Sequence, residues 1–125
     1  FPALPNIYFS VVDVRDVAKL HVESLTNSKS DFKRIIASSS KAISFLEISK
    51  ILRKIGHNKS TLKIVPDQII KLLAIFNKDM KTSASMINRG YFSLDLSRTN
   101  EIYNWEPTPF YKTMLDMSNS LKVFL

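Results

Sequence analysis

Residues 8–25, YFSVVDVRDVAKLHVESL, decide the predicted fold, because the periodicity of the apolar residues changes within this stretch. The first residues are mostly aromatic or β-branched, as half-buried strands prefer. From Val14 onwards the period becomes helical, and one face of the predicted helix carries Val14, Val17, Ala18, His21, Val22 and Leu25. The sequence therefore predicts a strand that runs directly into a helix.

Two carboxylates lie where this strand gives way to the helix. Asp13 and Asp16 can accept hydrogen bonds from the unpaired N–H groups of the first helical turn and interact favourably with the helix dipole. They are also spaced for an acid–base pair, but beside Arg15 both are expected to stay ionised, which suits capping better. We predict that Asp16 caps a helix over residues 17–25. His21 is predicted to be a packed or hydrogen-bonded structural residue, with a substrate or interface role as the alternative.

The best-marked helix begins at Ser44. Ser44 and Glu47 have the spacing of a capping box, and Gly56 is placed to end the helix in a left-handed conformation. Its buried stripe is predicted to contain Phe45, Ile48, Leu52 and Ile55.

The remaining elements are shorter or less regular. Strands are predicted over residues 32–38, 62–65 and 91–94, the first of them buried on both faces. Helices are predicted over residues 66–76, 95–104 and from 109 onwards. Residues 77–89 are predicted to be flexible, with Met80 and Met86 as anchors of a possible short helix. Thr108 and Pro109 are predicted as N-cap and first residue of the last helix, whose apolar stripe is Phe110, Met114, Met117, Leu121 and Phe124.

The run VDVRDVAKLH, residues 12–21, resembles the signature of the extended short-chain dehydrogenase/reductases, in the branch of dihydroflavonol reductases and related aldehyde reductases. The similarity extends over nearly the whole chain. It includes the preceding FPALPN, the strand KRIIAS, the helix that opens with SFLE, and WEP at residues 105–107, where Asn104 replaces the usual glycine of that element.

This resemblance implies an α/β fold, α+β when isolated, that is mostly helical with a few short strands. Residues 1–125 would be one C-terminal, substrate-side part of a Rossmann-type reductase that uses NADP or NAD, and the N-terminal cofactor-binding domain would be absent. The loop before the signature would lie near the substrate cleft, with Phe1, Leu4 and Asn6 as candidate substrate-binding residues. Asp13, Arg15, Asp16 and His21 would be the structural signature.

The composition sets further bounds. The chain has 125 residues, no cysteine and a net charge of +7, and the charge is scattered apart from a basic cluster at residues 50–63. Disulfides and thiolate metal sites are therefore excluded, and we expect a solvated surface and no nucleic-acid binding. No apolar run is long enough to span a membrane, so we expect no membrane insertion and a cytoplasmic location. Since the sequence starts at Phe1 without an initiator methionine, we expect the original N-terminus to lie elsewhere.

The motifs of catalysis are missing from the sequence. Its two glycines, Gly56 and Gly90, are too far apart for a dinucleotide fingerprint, and no tyrosine is followed four residues later by lysine. We therefore expect no catalytic residue, no bound cofactor and no metal in this chain. Two alternatives stay open: a non-catalytic interaction module that dimerises through its apolar helix, and a small basic protein that binds nucleic acid. As an isolated chain we expect a homodimer that shields Ile69, Leu73 and Phe76.

Overall fold

The computed structural model describes residues 3–76, 78–87 and 89–122. Over these residues the fold is mixed and helix-rich, with a two-stranded sheet and six α-helices. The strands are β1 (Tyr8–Phe9) and β2 (Ile43–Ser44), and the helices are α1 (Val14–Ser24), α2 (Phe45–Lys54), α3 (Asp67–Leu73), α4 (Lys78–Ile87), α5 (Ser97–Tyr103) and α6 (Phe110–Leu121). A 3-10 helix covers Ser28–Ser30. The coarse expectation of a mostly helical chain with a few short strands is confirmed.

The chain divides into two compact units. The first unit contains the N-terminal residues through Phe9 together with Ala42–Phe92. In it β1 pairs antiparallel with β2, which places Tyr8 opposite Ser44. Its core is formed by the buried residues Ile7, Ile70 and Ile87, with Phe9, Phe45, Val65, Ala84 and Met86 packed against them.

Helix α2 is the element that the sequence predicted most completely. The Ser44 hydroxyl accepts from the Glu47 N–H at 3.2 Å, and the Glu47 carboxylate accepts from the Ser44 N–H at 2.8 Å. At the other end Gly56 has φ of +103°, the N–H of Gly56 donates to the Arg53 carbonyl, and that of His57 donates to the Leu52 carbonyl. These two bonds satisfy carbonyls that the helix end leaves free, so the capping box and the glycine stop are both confirmed.

The second unit contains Ser10–Lys41 and the residues from Ser93 onwards. Its buried apolar residues are Leu20 of α1, Leu96 and Met114 of α6. Thr99 of α5 is only 1% exposed, and its hydroxyl donates to the Ile36 carbonyl at 3.0 Å and accepts from the Ile36 N–H at 3.3 Å. A single side chain thus satisfies both backbone groups of Ile36.

The predicted short strands are mostly wrong. Residues 32–38, all of which the structure describes, form no strand, because no second strand of the described chain lies beside them. Residues 62–65 and 91–94 are reduced to isolated bridges, Leu4 with Ile64 and Lys41 with Ser93, and the first strand ends at Phe9.

The helix boundaries also differ from the sequence prediction in places. The segment predicted to be flexible contains α4, a ten-residue helix. Helix α3 stops at Leu73, three residues before the predicted end. Helix α6 has Pro109 as its N-cap, so Thr108 lies one position before the cap, and Phe124 of its predicted stripe lies outside the described residues. Among the described helices none is both long and apolar enough to cross a membrane.

The apolar face of α1 is mostly exposed. The helical spacing was predicted correctly, but Val14, Val22 and Leu25 are 78%, 66% and 85% exposed, and the buried residue of the helix is Leu20. The apolar face that the spacing predicted is therefore largely open within this unit.

Candidate functional site

The N-terminal segment is attached to the residues that precede α3. The N–H of Leu4 donates to the Lys63 carbonyl at 2.8 Å, and the N–H of Val65 donates to the Leu4 carbonyl at 2.9 Å. These two bonds fix the backbone of Leu4, which is half-buried, whereas Asn6 is exposed. Phe1, the third predicted substrate-binding residue, lies outside the described residues.

Leu4 lines a cleft of about 300 Å³ in the first unit. One wall comes from α2 and the other from the turn that follows it, and the lining residues are Leu4, Phe45, Ile48, Ser49, Leu52, Lys59, Ser60 and Thr61. A cleft of this size, apolar along one side and polar along the other, is typical of small-molecule sites.

Internal contacts hold both walls in place. The Ser49 hydroxyl donates to the Thr61 carbonyl, and Arg53 Nε donates to the Ser60 carbonyl at 2.7 Å. The rings of Phe45 and Phe9 meet edge to face, with 4.6 Å between their centroids. The cleft is therefore preformed. Its lining suits the binding of an apolar group because it includes the side chains of Phe45, Ile48 and Leu52.

The signature residues form a polar network in the second unit. Asp13 is 3% exposed and is the N-cap of α1: its Oδ1 accepts from the Arg15 N–H at 2.9 Å. The Arg15 guanidinium donates to both oxygens of the same carboxylate, at 2.9 and 2.7 Å. The Thr113 hydroxyl of α6 donates to Asp13 Oδ2 at 2.7 Å, so that Asp13 connects the start of α1 with α6.

Ion pairs extend this network along α6. Arg15 Nη1 lies 2.7 Å from Asp116, and Lys112 Nζ lies 2.9 Å from the same carboxylate oxygen. Hydrogen bonds from the Arg15 side chain hold the pKa of Asp13 well below its usual range. The pKa of Asp116 is also lowered, first by the hydrogen bond from Lys112 and then by that from Arg15. Both carboxylates are thus held in the charged form, which suits the capping role of Asp13 and does not suit general-acid chemistry.

Asp16 does not have the role that the sequence predicted. The helix starts three residues earlier than expected, so Asp13 is the cap and Asp16 lies in the first turn. Both Asp16 oxygens accept from Thr108 instead, from its N–H at 2.6 Å and from its hydroxyl at 2.9 Å. The carboxylate therefore attaches the segment before α6 to α1.

His21 and Trp105 each make a hydrogen bond to a backbone carbonyl. His21 is exposed, and its Nδ1 lies 2.8 Å from the Val17 carbonyl of the preceding turn. Trp105 Nε1 donates to the Ser38 carbonyl at 2.8 Å. Asn104 takes the left-handed conformation, with φ of 48° and ψ of 56°, which asparagine tolerates better than most residues. Asparagine can therefore occupy the position at which the corresponding element of the resembled family has glycine.

The sequence did not predict the hydrogen-bond and ion-pair partners of Asp13, Arg15 and Asp16, nor the residues that line the cleft. Thr108, Thr113 and Asp116 lie far along the chain from residues 13–16, and only the Thr-Pro pair before α6 marked that region. Of the described residues, no group of three or more His, Asp or Glu is placed to hold a metal ion.

Comparison with known proteins adds no relative. No family model, no curated protein and no solved structure matches the chain significantly. The function must therefore be argued from the residues and their geometry.

Proposed function

We propose that this chain is the C-terminal, substrate-side portion of a nicotinamide-dependent reductase of the extended short-chain type, located in the cytoplasm. A cofactor-binding part upstream would hold NADP or NAD and deliver hydride to an aldehyde or ketone, while this chain shapes the substrate pocket. The resemblance of VDVRDVAKLH and of WEP to that family supports the proposal. The sequence lacks the Tyr-x-x-x-Lys pair, so its own role is binding and not proton transfer.

One observation carries the proposal: the exposed apolar face of α1. Val14, Val22 and Leu25 stand on one stripe of the helix, with the exposed Ala18 between them. Folded proteins rarely leave a contiguous apolar face open unless it contacts a partner. In the family that the chain resembles, the cofactor-binding part is the partner expected beside this unit.

The segment after α1 supports the same partner. Residues 33–37 include Ile35, Ile36 and Ala37, a composition that suits a strand covered on both faces, but they pair with no strand of the described chain. Phe32 is fully exposed and has φ of 57°, a conformation that is strained for an aromatic residue. In the family that the chain resembles, the corresponding strand joins the edge of the cofactor domain's sheet. Pairing with that sheet would cover these residues.

The first-unit cleft is the proposed contribution to substrate binding. Its apolar wall contains Phe45 and Leu4, and of the two predicted substrate residues that the structure describes only Leu4 lines the cleft. We place the apolar portion of the carbonyl substrate against this wall.

Activity of the native protein tests the proposal. The protein isolated with antibodies against this chain should oxidise NADPH or NADH in the presence of an aldehyde or ketone. Leu52→Asp, in the cleft wall, should raise KM for an apolar carbonyl substrate with little change in KM for the cofactor. The matched control is Leu62→Asp, at an exposed residue outside the cleft lining. A pure native protein without nicotinamide-dependent activity towards any carbonyl compound contradicts the proposal.

A second candidate function rests on a different observation. Ile69, Leu73 and Phe76, at and after α3, are 48%, 47% and 85% exposed. This supports the alternative of a non-catalytic module in which a second copy of the chain covers these residues.

A further inference from the structure

A second cleft, of about 310 Å³, lies wholly within the second unit. One side is formed by α1 and the other by the end of α5 and the residues after it. Its charged and aromatic lining residues are Asp16, Lys19, Glu23, Tyr103, Trp105 and Glu106. None of these residues belongs to the substrate cleft of the first unit.

Hydrogen bonds hold both aromatic side chains of this cleft. The Tyr103 hydroxyl lies 2.5 Å from the Ser24 hydroxyl, and Trp105 Nε1 donates to the Ser38 carbonyl. Asn104, in its left-handed conformation, forms the turn between the two aromatic residues. The rings are therefore fixed before any ligand arrives, which lowers the entropic cost of binding.

The cleft carries more negative than positive charge, in a chain whose net charge is +7. Its three carboxylates are those of Asp16, Glu23 and Glu106, and its one cation is Lys19. Lys19 Nζ lies 3.8 Å from Glu23, a distance typical of a weak exposed ion pair, and Asp16 is bonded to Thr108. Glu106 is exposed and lines the cleft. A positively charged ligand is thus favoured electrostatically.

We propose that this cleft binds an organic ammonium cation. Aromatic rings attract cations through their quadrupole, tyrosine and tryptophan among the best, and the carboxylates add direct charge attraction. A bare metal ion fits less well, because no group of three His, Asp or Glu among the described residues is placed to ligate one. The chemistry of the lining therefore selects a cation with an apolar exterior, such as a quaternary ammonium group.

The site does not depend on the proposed reductase function. On a helix of 3.6 residues per turn, Asp16 and Glu23 lie at least about 100° around the axis from Val14, Val22 and Leu25. A partner that covers the apolar face of α1 would therefore leave this cleft open.

The position of Trp105 gives a direct test, since it is the only tryptophan of the chain. We expect choline to change the tryptophan fluorescence of the 125-residue chain saturably, and its neutral isostere 3,3-dimethyl-1-butanol to bind at least about tenfold more weakly. The double variant Glu23→Gln/Glu106→Gln should weaken choline binding about tenfold, whereas Glu101→Gln, on α5 but outside this cleft, should not.

Three results would overturn the proposal. These are no saturable response to choline, an equal affinity for the neutral isostere, or unchanged binding by the double variant. Circular dichroism of each variant verifies that the helices are retained, and if the double variant does not fold, the comparison of choline with its isostere on the unmodified chain still decides.

Discussion

Thr108 and Asp16 are joined by two hydrogen bonds although 92 residues separate them along the chain. The Thr108 N–H donates to Asp16 Oδ2 at 2.6 Å, and its hydroxyl donates to Oδ1 at 2.9 Å. The residue just before α6 is thereby attached to the first turn of α1. Together with the Asp13–Thr113 bond, this contact makes the signature a structural connection between two helices.

Removing the hydroxyl of Thr108 should destabilise the chain modestly. Thr108→Val keeps the backbone bond to Asp16 and loses the side-chain bond, which should lower the free energy of unfolding by about 0.5–1.5 kcal/mol. Urea denaturation measures the change. Thr26→Val, at an exposed threonine whose hydroxyl has only a long bond to Glu23, is the control and should change stability little. Equal stability of the two variants would contradict the assigned role of Thr108.

Acid should weaken the network around Asp13. The pKa values of Asp13 and Asp116 are lowered in the folded state. The stability that these two carboxylates contribute is therefore complete above their unfolded-state pKa of about 3.9, and it is lost as the pH falls below that value. The melting temperature should therefore drop between about pH 5 and pH 2. Asp13→Asn should lower it at neutral pH and flatten this dependence, whereas Asp31→Asn, at an exposed carboxylate, should do neither. A steep acid transition retained in Asp13→Asn would mean that other groups control it.

Local signals predicted α2 well because everything that defines it lies within thirteen residues. Ser44, Glu47 and Gly56 act on backbone groups of their own helix, so their spacing was sufficient. The same local reasoning predicted a helix after Asp13 but not its first residue. A carboxylate at either Asp13 or Asp16 satisfies the capping pattern, and the choice depends on Thr108 and Thr113, which lie about a hundred residues away.

Residues whose structure depends on a distant partner were predicted poorly. The composition of residues 32–38 suits a strand, but a strand requires a neighbour, and Thr99 bonds Ile36 instead. The apolar stripe of α1 was predicted correctly as a pattern, but its exposure was not predicted, because periodicity does not tell what covers a face. The predicted substrate residue Leu4 lines a cleft only through its bonds to Lys63 and Val65, which no sequence spacing indicates.

The exposed residues at and after α3 should cause the isolated chain to self-associate. Light scattering over a dilution series should show a dimer that dissociates at low concentration. Phe76→Glu should shift the equilibrium towards monomer, and Leu121→Glu, at an exposed apolar residue of α6, is the matched control. A monomer at all concentrations, with no effect of Phe76→Glu, would remove the support for the interaction-module alternative.

The chain by itself should bind no nicotinamide cofactor. Its two glycines do not form a dinucleotide fingerprint, and no tyrosine precedes a lysine by four residues. Calorimetric titration with the oxidised and reduced forms of NAD and NADP should release no heat of binding. A micromolar dissociation constant for any of the four would contradict this prediction.

The intact mass and N-terminal sequence of the native protein test whether this chain continues upstream into a cofactor-binding part, as we propose. Antibodies against the chain should isolate a polypeptide clearly heavier than 14.3 kDa. Upstream of Phe1, its sequence should contain a strand followed by a glycine-rich turn and a Tyr-x-x-x-Lys pair. A native polypeptide of 14.3 kDa, or a longer one without these two motifs, would contradict the account.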